Sequence, residues 1–197
     1  MPLSSGDAVP AAGLSRRPWW ARERPDRNLV LGGLVFTGVA ITTVLLVAAG
    51  VRALAPASWQ SLIADEQHTD ATVLTLISIW ANNLLICCLP LLAGVFAHRL
   101  AGLGRRGWAR VVIAVAALAV LRSLLVIGVV GGLDQRWLAM ASAWWILELA
   151  ALGACCAAGW LAFRSADPAT ASRRLAHALA FACVTLALAA AIEVAST

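Results

Sequence analysis

The chain has 197 residues, of which 61% are hydrophobic and only 13% are charged, and its mean hydropathy is +0.85. Soluble domains usually carry roughly 25% charged residues, and a water-soluble fold of this size could not bury so much apolar surface. The net charge of +5 comes from arginines that flank apolar runs, where the positive-inside tendency explains them. Composition therefore excludes a soluble domain and argues against a nucleic-acid partner.

Residues 1–28 are polar, contain proline and arginine, and show no hydrophobic period, which predicts a flexible, basic cytoplasmic tail. Five apolar runs follow within residues 29–197, and each is long enough to cross roughly 30 Å of hydrocarbon as an α-helix. These runs are 29–51, 72–97, 111–133, 138–163 and 175–194. The sequence thus predicts an all-α fold, a polytopic membrane helix bundle with about five transmembrane helices in a lipid bilayer.

The charges between the runs predict how the chain is oriented. Segment 52–71 carries three acidic residues against one arginine, whereas segment 98–110 carries four arginines and no acidic residue. Basic loops tend to remain in the cytoplasm. We therefore expect a multi-pass protein of the cytoplasmic membrane with its N-terminus inside and its C-terminus outside.

Four strongly polar residues, Asn82, Asn83, Arg122 and Glu148, lie near the middle of the second, third and fourth runs. A charge at the centre of a spanning helix costs about 2.5 to 3.5 kcal/mol on insertion scales, so we expect these side chains to face one another. Because a very short turn joins the third and fourth runs, we predict an ion pair between Arg122 and Glu148. This polar cluster either fixes helix packing or forms part of a polar cavity or proton-linked pathway.

Small residues and cysteines supply two further patterns. The fourth run carries Ala150, Gly153, Ala154 and Ala158, whose spacing lets another helix approach closely. The five cysteines all fall in the cytoplasmic halves of their runs, where two adjacent pairs and a fifth thiol could bind a soft metal or haem iron. No CxxC or histidine-rich partner accompanies them, which favours simple packing. We expect no metal site and no cofactor.

Two segments together carry a family resemblance. The first contains Asn82-Asn83-Leu84 and runs to Gly94, and the second contains Glu148-Leu149 and runs to Gly159. They resemble the stage II sporulation protein M family, in which an L-x-N-N-L helix start is followed by a later helix with H-G-x-x-E-L-P-A. This chain lacks the His-Gly pair, and Ala150 replaces the proline.

The resemblance implies a non-enzymatic integral membrane scaffold or accessory component that organises partner membrane or cell-envelope proteins. The alternative is a membrane subunit of a transporter or exporter for a peptide or small solute, working with an ATPase partner or the proton gradient. A third hypothesis is an intramembrane enzyme that uses Glu148 and Arg122. No GxSxG, HExxH, Walker or GxGxxG sequence is present, so we do not expect an enzyme.

Overall fold

Five long α-helices make up the protein in a computed structural model that describes residues 26–56 and 73–196. No strand occurs in these two ranges. All five helices are long and apolar enough to cross a membrane, which confirms the predicted all-α membrane bundle. The helices are α1 (Arg27–Leu54), α2 (Val73–Gly102), α3 (Arg106–Leu133), α4 (Gln135–Arg164) and α5 (Pro168–Ser196).

The helices extend beyond the predicted apolar runs because flanking polar residues continue the helical turns. Most of the predicted tail and nearly all of the first loop lie outside the described residues. The last residues of that tail already belong to α1, since the Asp26 carboxylate caps the helix by accepting a hydrogen bond from the Asn28 backbone amide at 2.9 Å. Asp167 caps α5 in the same way, accepting from the backbone amides of Ala169 and Thr170.

The fourth helix is the centre of the bundle. It packs against α1, α2 and α5, and half of its most apolar stretch is buried. Helix α3 packs instead on α1 and α2 and makes few contacts with α4, although only Asp134 separates the two helices in the chain. A short turn therefore keeps α3 and α4 together at one end only, and they diverge away from it.

The contacts fix the relative direction of the helices. Asn83 meets Glu148 and Gly94 meets Gly159, so α2 and α4 run parallel. Successive residues of α1 contact α3 in the same chain order and α4 in the reverse order. Helices α1 and α3 therefore run parallel to each other and antiparallel to α4. One end of the bundle therefore holds the start of α1 and the turns between α2 and α3 and between α4 and α5. We call it the arginine-rich end, after Arg27, Arg99, Arg105, Arg106, Arg110, Arg164, Arg173 and Arg174.

Glycines set the closest helix approaches. A Cβ atom added to Gly94 of α2 would lie 2.7 Å from the carbonyl carbon of Gly159, and one added to Gly159 would lie 2.8 Å from that of Pro90. Such distances leave no room for a side chain, so the two backbones touch. On the other side of α4, a Cβ on Gly153 would lie 2.9 Å from the backbone nitrogen of Thr37 in α1.

An ion pair joins α1 and α5 at the arginine-rich end. The Arg174 guanidinium of α5 binds the Asp26 carboxylate, the residue that caps α1. Burial alone would raise the pKa of Asp26, but hydrogen bonds from Arg174 and from the Asn28 amide outweigh it and hold the pKa below its ordinary value of 3.8. The first and last helices are thus joined at their ends by a charged contact.

Candidate functional site

The polar contact inside the bundle joins Asn83 of α2 to Glu148 of α4. The Asn83 amide nitrogen donates a hydrogen bond to Glu148 Oε1, and both side chains are partly buried. The parallel path of α2 and α4 brings the two residues to the same level, because the Gly94 and Gly159 backbones touch further along the same pair of helices. The structure therefore brings together two of the four residues of the predicted polar cluster.

A second carboxylate and a tryptophan lie near this contact. Glu193 of α5 is close enough to Glu148 for the two carboxyl groups to interact electrostatically. The Trp80 indole nitrogen of α2 donates a hydrogen bond to the Cys183 carbonyl oxygen of α5 at 3.2 Å. Polar contacts thus link α2 to both α4 and α5.

Arg122 lies on a different surface. It lies well inside α3, roughly 24 Å from Arg106 and 16 Å from Leu133 at 1.5 Å per residue. Its side chain is exposed, in a shallow depression formed by its own helix, with Leu118, Leu125 and Val126 around it.

The predicted ion pair is not formed: the structure describes both Arg122 and Glu148, and the two side chains make no salt bridge. The reason is the packing of α3 on α1. A Cβ added to Gly128 would lie 2.7 Å from Val47 Cβ, and one added to Gly132 would lie 2.6 Å from the Ala48 carbonyl oxygen. These glycines hold one face of α3 against α1, and Arg122, about 100° around the helix from that face, is left exposed.

Asn82 also lies outside the bundle. Its side chain is exposed, and its Nδ2 lies 3.5 Å from Oδ1 of the Asn83 side chain, the outer limit for a hydrogen bond. The adjacent asparagines therefore differ in surroundings, because successive helical residues point about 100° apart. Only Asn83 faces α4.

The small residues predicted on α4 lie at its contacts with α1 and its other neighbours. Gly153 and Ala154 meet Thr37 and Gly33 of α1, and the Thr37 hydroxyl donates to the Gly33 carbonyl oxygen at 2.8 Å. Ala158 is fully buried, and Ala150 is half-buried. Sequence reasoning missed the small residues on the other helices, including Gly128 and Gly132 of α3, whose four-residue spacing lets α3 pack closely on α1.

The cysteines are free thiols within the bundle. Cys87 and Cys155 are buried, and Cys88, Cys156 and Cys183 are partly buried. No group of three histidine, cysteine, aspartate or glutamate side chains that could hold a metal ion occurs among the residues the structure describes. The thiols fill small spaces between α2, α4 and α5, and Cys155 Sγ lies 4.0 Å from the Ala178 carbonyl oxygen.

Among the described residues, Glu148 is thus hydrogen-bonded inside the bundle, whereas Arg122 is exposed on the outer surface of a spanning helix. Comparisons of the chain with protein-family models, with curated proteins and with solved structures find no match.

Proposed function

We propose that the chain is an integral membrane scaffold or accessory component that binds another membrane protein through the outer face of α3. The observation that carries this proposal is the exposure of Arg122 in the middle of a spanning helix. An arginine in that place costs about 2.5 to 3.5 kcal/mol on insertion scales when it faces lipid. A carboxylate on a helix of a partner protein would offset that cost, so binding of such a partner at this face would be favourable.

The residues around Arg122 form an apolar strip along α3. They recur at three- and four-residue spacing, so they lie on one face of the helix. Their exposed fractions range from 39% for Val129 to 65% for Leu118. We call this surface the Arg122 strip; it consists of Val115, Leu118, Arg122, Leu125, Val126 and Val129. An apolar strip with one central cation fits a partner helix that is apolar apart from one acidic residue.

A second copy of this chain fits the strip less well than a different protein. Within the described helices, Glu148 already accepts the Asn83 amide, and Glu193 is half-buried close to the end of α5. Neither carboxylate is displayed on an outer face at the level of Arg122. A partner with its own acidic residue in a spanning helix is therefore the better match, and this agrees with a role in organising other membrane or cell-envelope proteins.

The resemblance to the stage II sporulation protein M family supports the same proposal. Its two motif segments are in contact along α2 and α4, at Asn83 with Glu148 and again at Gly94 with Gly159. We further propose the cytoplasmic membrane as location, with the arginine-rich end facing the cytoplasm, from the positive-inside tendency.

The experiment is site-specific photo-crosslinking of the full chain in its native membrane. A photoreactive residue at Val126 lies on the Arg122 strip, and one at Val184 of α5 is a matched control because that side chain is 72% exposed. We expect Val126 to give a discrete crosslinked protein with an acidic residue in a spanning segment. The crosslink should be lost in Arg122→Leu and retained in Arg122→Lys. Identical products from both positions, unaffected by Arg122→Leu, would contradict the proposal.

A second candidate is the membrane subunit of a transporter or exporter for a peptide or small solute. The observation in its favour is Glu148, an ionisable group in the bundle that a coupled proton could use. Glu148→Gln keeps an oxygen that can accept the Asn83 amide, so the variant removes the charge and keeps the contact. Loss of transport in Glu148→Gln, together with an ATPase as the Val126 crosslink, would favour this candidate over the scaffold.

A further inference from the structure

A cavity of about 480 Å³ lies between α3 and α4, in the half of the bundle toward the arginine-rich end. Its inner wall is formed by buried side chains such as Ala93, Leu124 and Leu152. Its outer wall includes exposed side chains of α1 and α3, among them Phe36 and Leu121. The cavity therefore extends from the interior of the bundle to its outer surface.

The cavity exists because small residues face each other across it. Helix α3 contributes Ala116 and Ala117, and α4 contributes Gly153 and Gly159. The closest glycine contacts of α3 with α1 lie further along, at Gly128 and Gly132. The volume of the cavity falls within the roughly 300 to 1,000 Å³ that is typical of ligand pockets.

The side chains that line the cavity favour a hydrocarbon ligand. Almost every lining group is a carbon atom, and the Thr43 hydroxyl already donates to the Val39 carbonyl oxygen at 2.8 Å. If this space were empty, the atoms of its walls would lose dispersion contacts. The lipid that surrounds a spanning helix is hydrocarbon and can supply those contacts. A partner helix is about 10 to 12 Å across and is too wide for the space. A single lipid chain is the occupant whose shape and chemistry fit.

Arginines lie at the end of the cavity from which the lipid chain would emerge. Trp160 of α4 lines the cavity and is 44% exposed, and the Arg164 guanidinium lies 5.8 Å from the centre of its ring. On α3, Arg110 precedes the lining residue Ile113 by three positions, so both lie on the same face of the helix. Basic residues at the mouth of a gap between spanning helices attract anionic headgroups.

We propose that this cavity binds one acyl chain of an anionic phospholipid, with the lipid phosphate held at the arginine-rich end by Arg110 and Arg164. The proposal combines an apolar space open to the bilayer with a cationic rim at one of its ends. It does not depend on the Arg122 strip, which lies on another face of α3. It gives the chain a bound lipid whichever partner it organises.

The test measures the lipid that stays with the purified full chain. The protein is reconstituted in nanodiscs of equal parts phosphatidylglycerol and phosphatidylcholine, extracted into detergent, and analysed by native mass spectrometry. Ala117→Phe fills the cavity, and Ala114→Phe is the matched control, since Ala114 is an exposed residue of α3 outside the lining. We expect the parent chain and Ala114→Phe to retain phosphatidylglycerol and Ala117→Phe to lose it.

The headgroup is tested separately. Each of Arg110→Gln and Arg164→Gln should lower the ratio of retained phosphatidylglycerol to phosphatidylcholine about five-fold, the equivalent of ~1 kcal/mol per basic residue at an anionic surface. Arg99→Gln, on the face of α2 opposite Pro90, should leave the ratio unchanged. The arginine substitutions lie at the surface, so they still test the proposal if Ala117→Phe fails to fold. Equal retention of the two lipids by the parent chain, or equal retention by Ala117→Phe and Ala114→Phe, would overturn the proposal.

Discussion

Helices α3 and α4 carry comparable sequence features and have opposite surroundings. Each has an ionisable residue far from its ends, but Glu148 of α4 is held by Asn83 within the bundle, whereas Arg122 of α3 is exposed on the outer surface. Only 11% of the most apolar stretch of α3 is buried, against 50% for α4. An ionisable residue in a spanning helix is thus held between helices in one case and exposed on the outer surface in the other.

Of these two helices, the more apolar one is the less buried. Helix α3 is the most apolar of the five and the least buried, and α4 is the least apolar and the most buried. In a bilayer the solvent is as apolar as a leucine side chain, so the most apolar helix gains little by being enclosed. Enclosure instead favours helices with small residues and polar groups that find partners, as Gly153, Gly159 and Glu148 do.

The largest effect is expected at the contact of α4 with α2. In Gly94→Ala the new methyl group meets the Gly159 backbone, which cannot move unless the helices separate. We expect the free energy of unfolding to fall by about 3 kcal/mol, the upper end of the usual cost of overpacking. Gly38→Ala is the control, because nothing lies within 4 Å of a Cβ there, and it should be neutral or slightly stabilising. Equilibrium unfolding in detergent gives both values.

Next in size is the internal hydrogen bond. Asn83→Leu leaves the Glu148 carboxyl group without its donor, and we expect a loss of about 2 kcal/mol, combining an intramembrane hydrogen bond with an unsatisfied buried group. The neighbouring Asn82→Leu is a matched control because Asn82 is exposed, and it should change stability by less than about 0.5 kcal/mol, as exposed substitutions usually do. Equal losses in the two variants would mean that Asn83 has no special role.

A smaller effect is expected where α3 packs on α1. A methyl group added in Gly128→Ala meets Val47 Cβ, which is fixed to the α1 backbone, so the strain is relieved only if α3 moves; α3 is peripheral enough to do so. We expect a cost of about 1 kcal/mol, the lower end of the overpacking range. If Gly128→Ala is as damaging as Gly94→Ala, then α3 is as firmly enclosed as α4, and the contrast between the two helices fails.

The smallest effect is expected at the ion pair between α1 and α5. Because the pKa of Asp26 is lowered in the folded protein, the pair stabilises the fold above the unfolded pKa, and this contribution is lost as the pH falls through the lower, folded pKa. Asp26→Asn should cost about 0.5 kcal/mol at neutral pH, within the range for exposed ion pairs. An acid titration of stability should show a smaller decrease below pH 4 in Asp26→Asn than in the parent chain; identical titrations would contradict the prediction.

Sequence reasoning predicted the number of helices, because length and apolar content determine it. It also placed Asn83 and Glu148 in one cluster, which the structure brings into contact. It paired Arg122 with Glu148 because a short turn joins α3 to α4, yet a turn holds two helices close only at one end. The direction that a helix faces depends on which small residues contact it, and Gly128 draws α3 onto α1.

The most direct test of this account is a pair of double-mutant cycles on the same protein in detergent. Coupling between Asn83 and Glu148 should be about 0.6 to 1.7 kcal/mol, the range measured for hydrogen bonds between spanning helices. Coupling between Arg122 and Glu148 should be below about 0.3 kcal/mol, because residues without shared partners act independently. Comparable coupling of Arg122 and Glu148 would place the arginine inside the bundle and contradict the proposed partner face of α3.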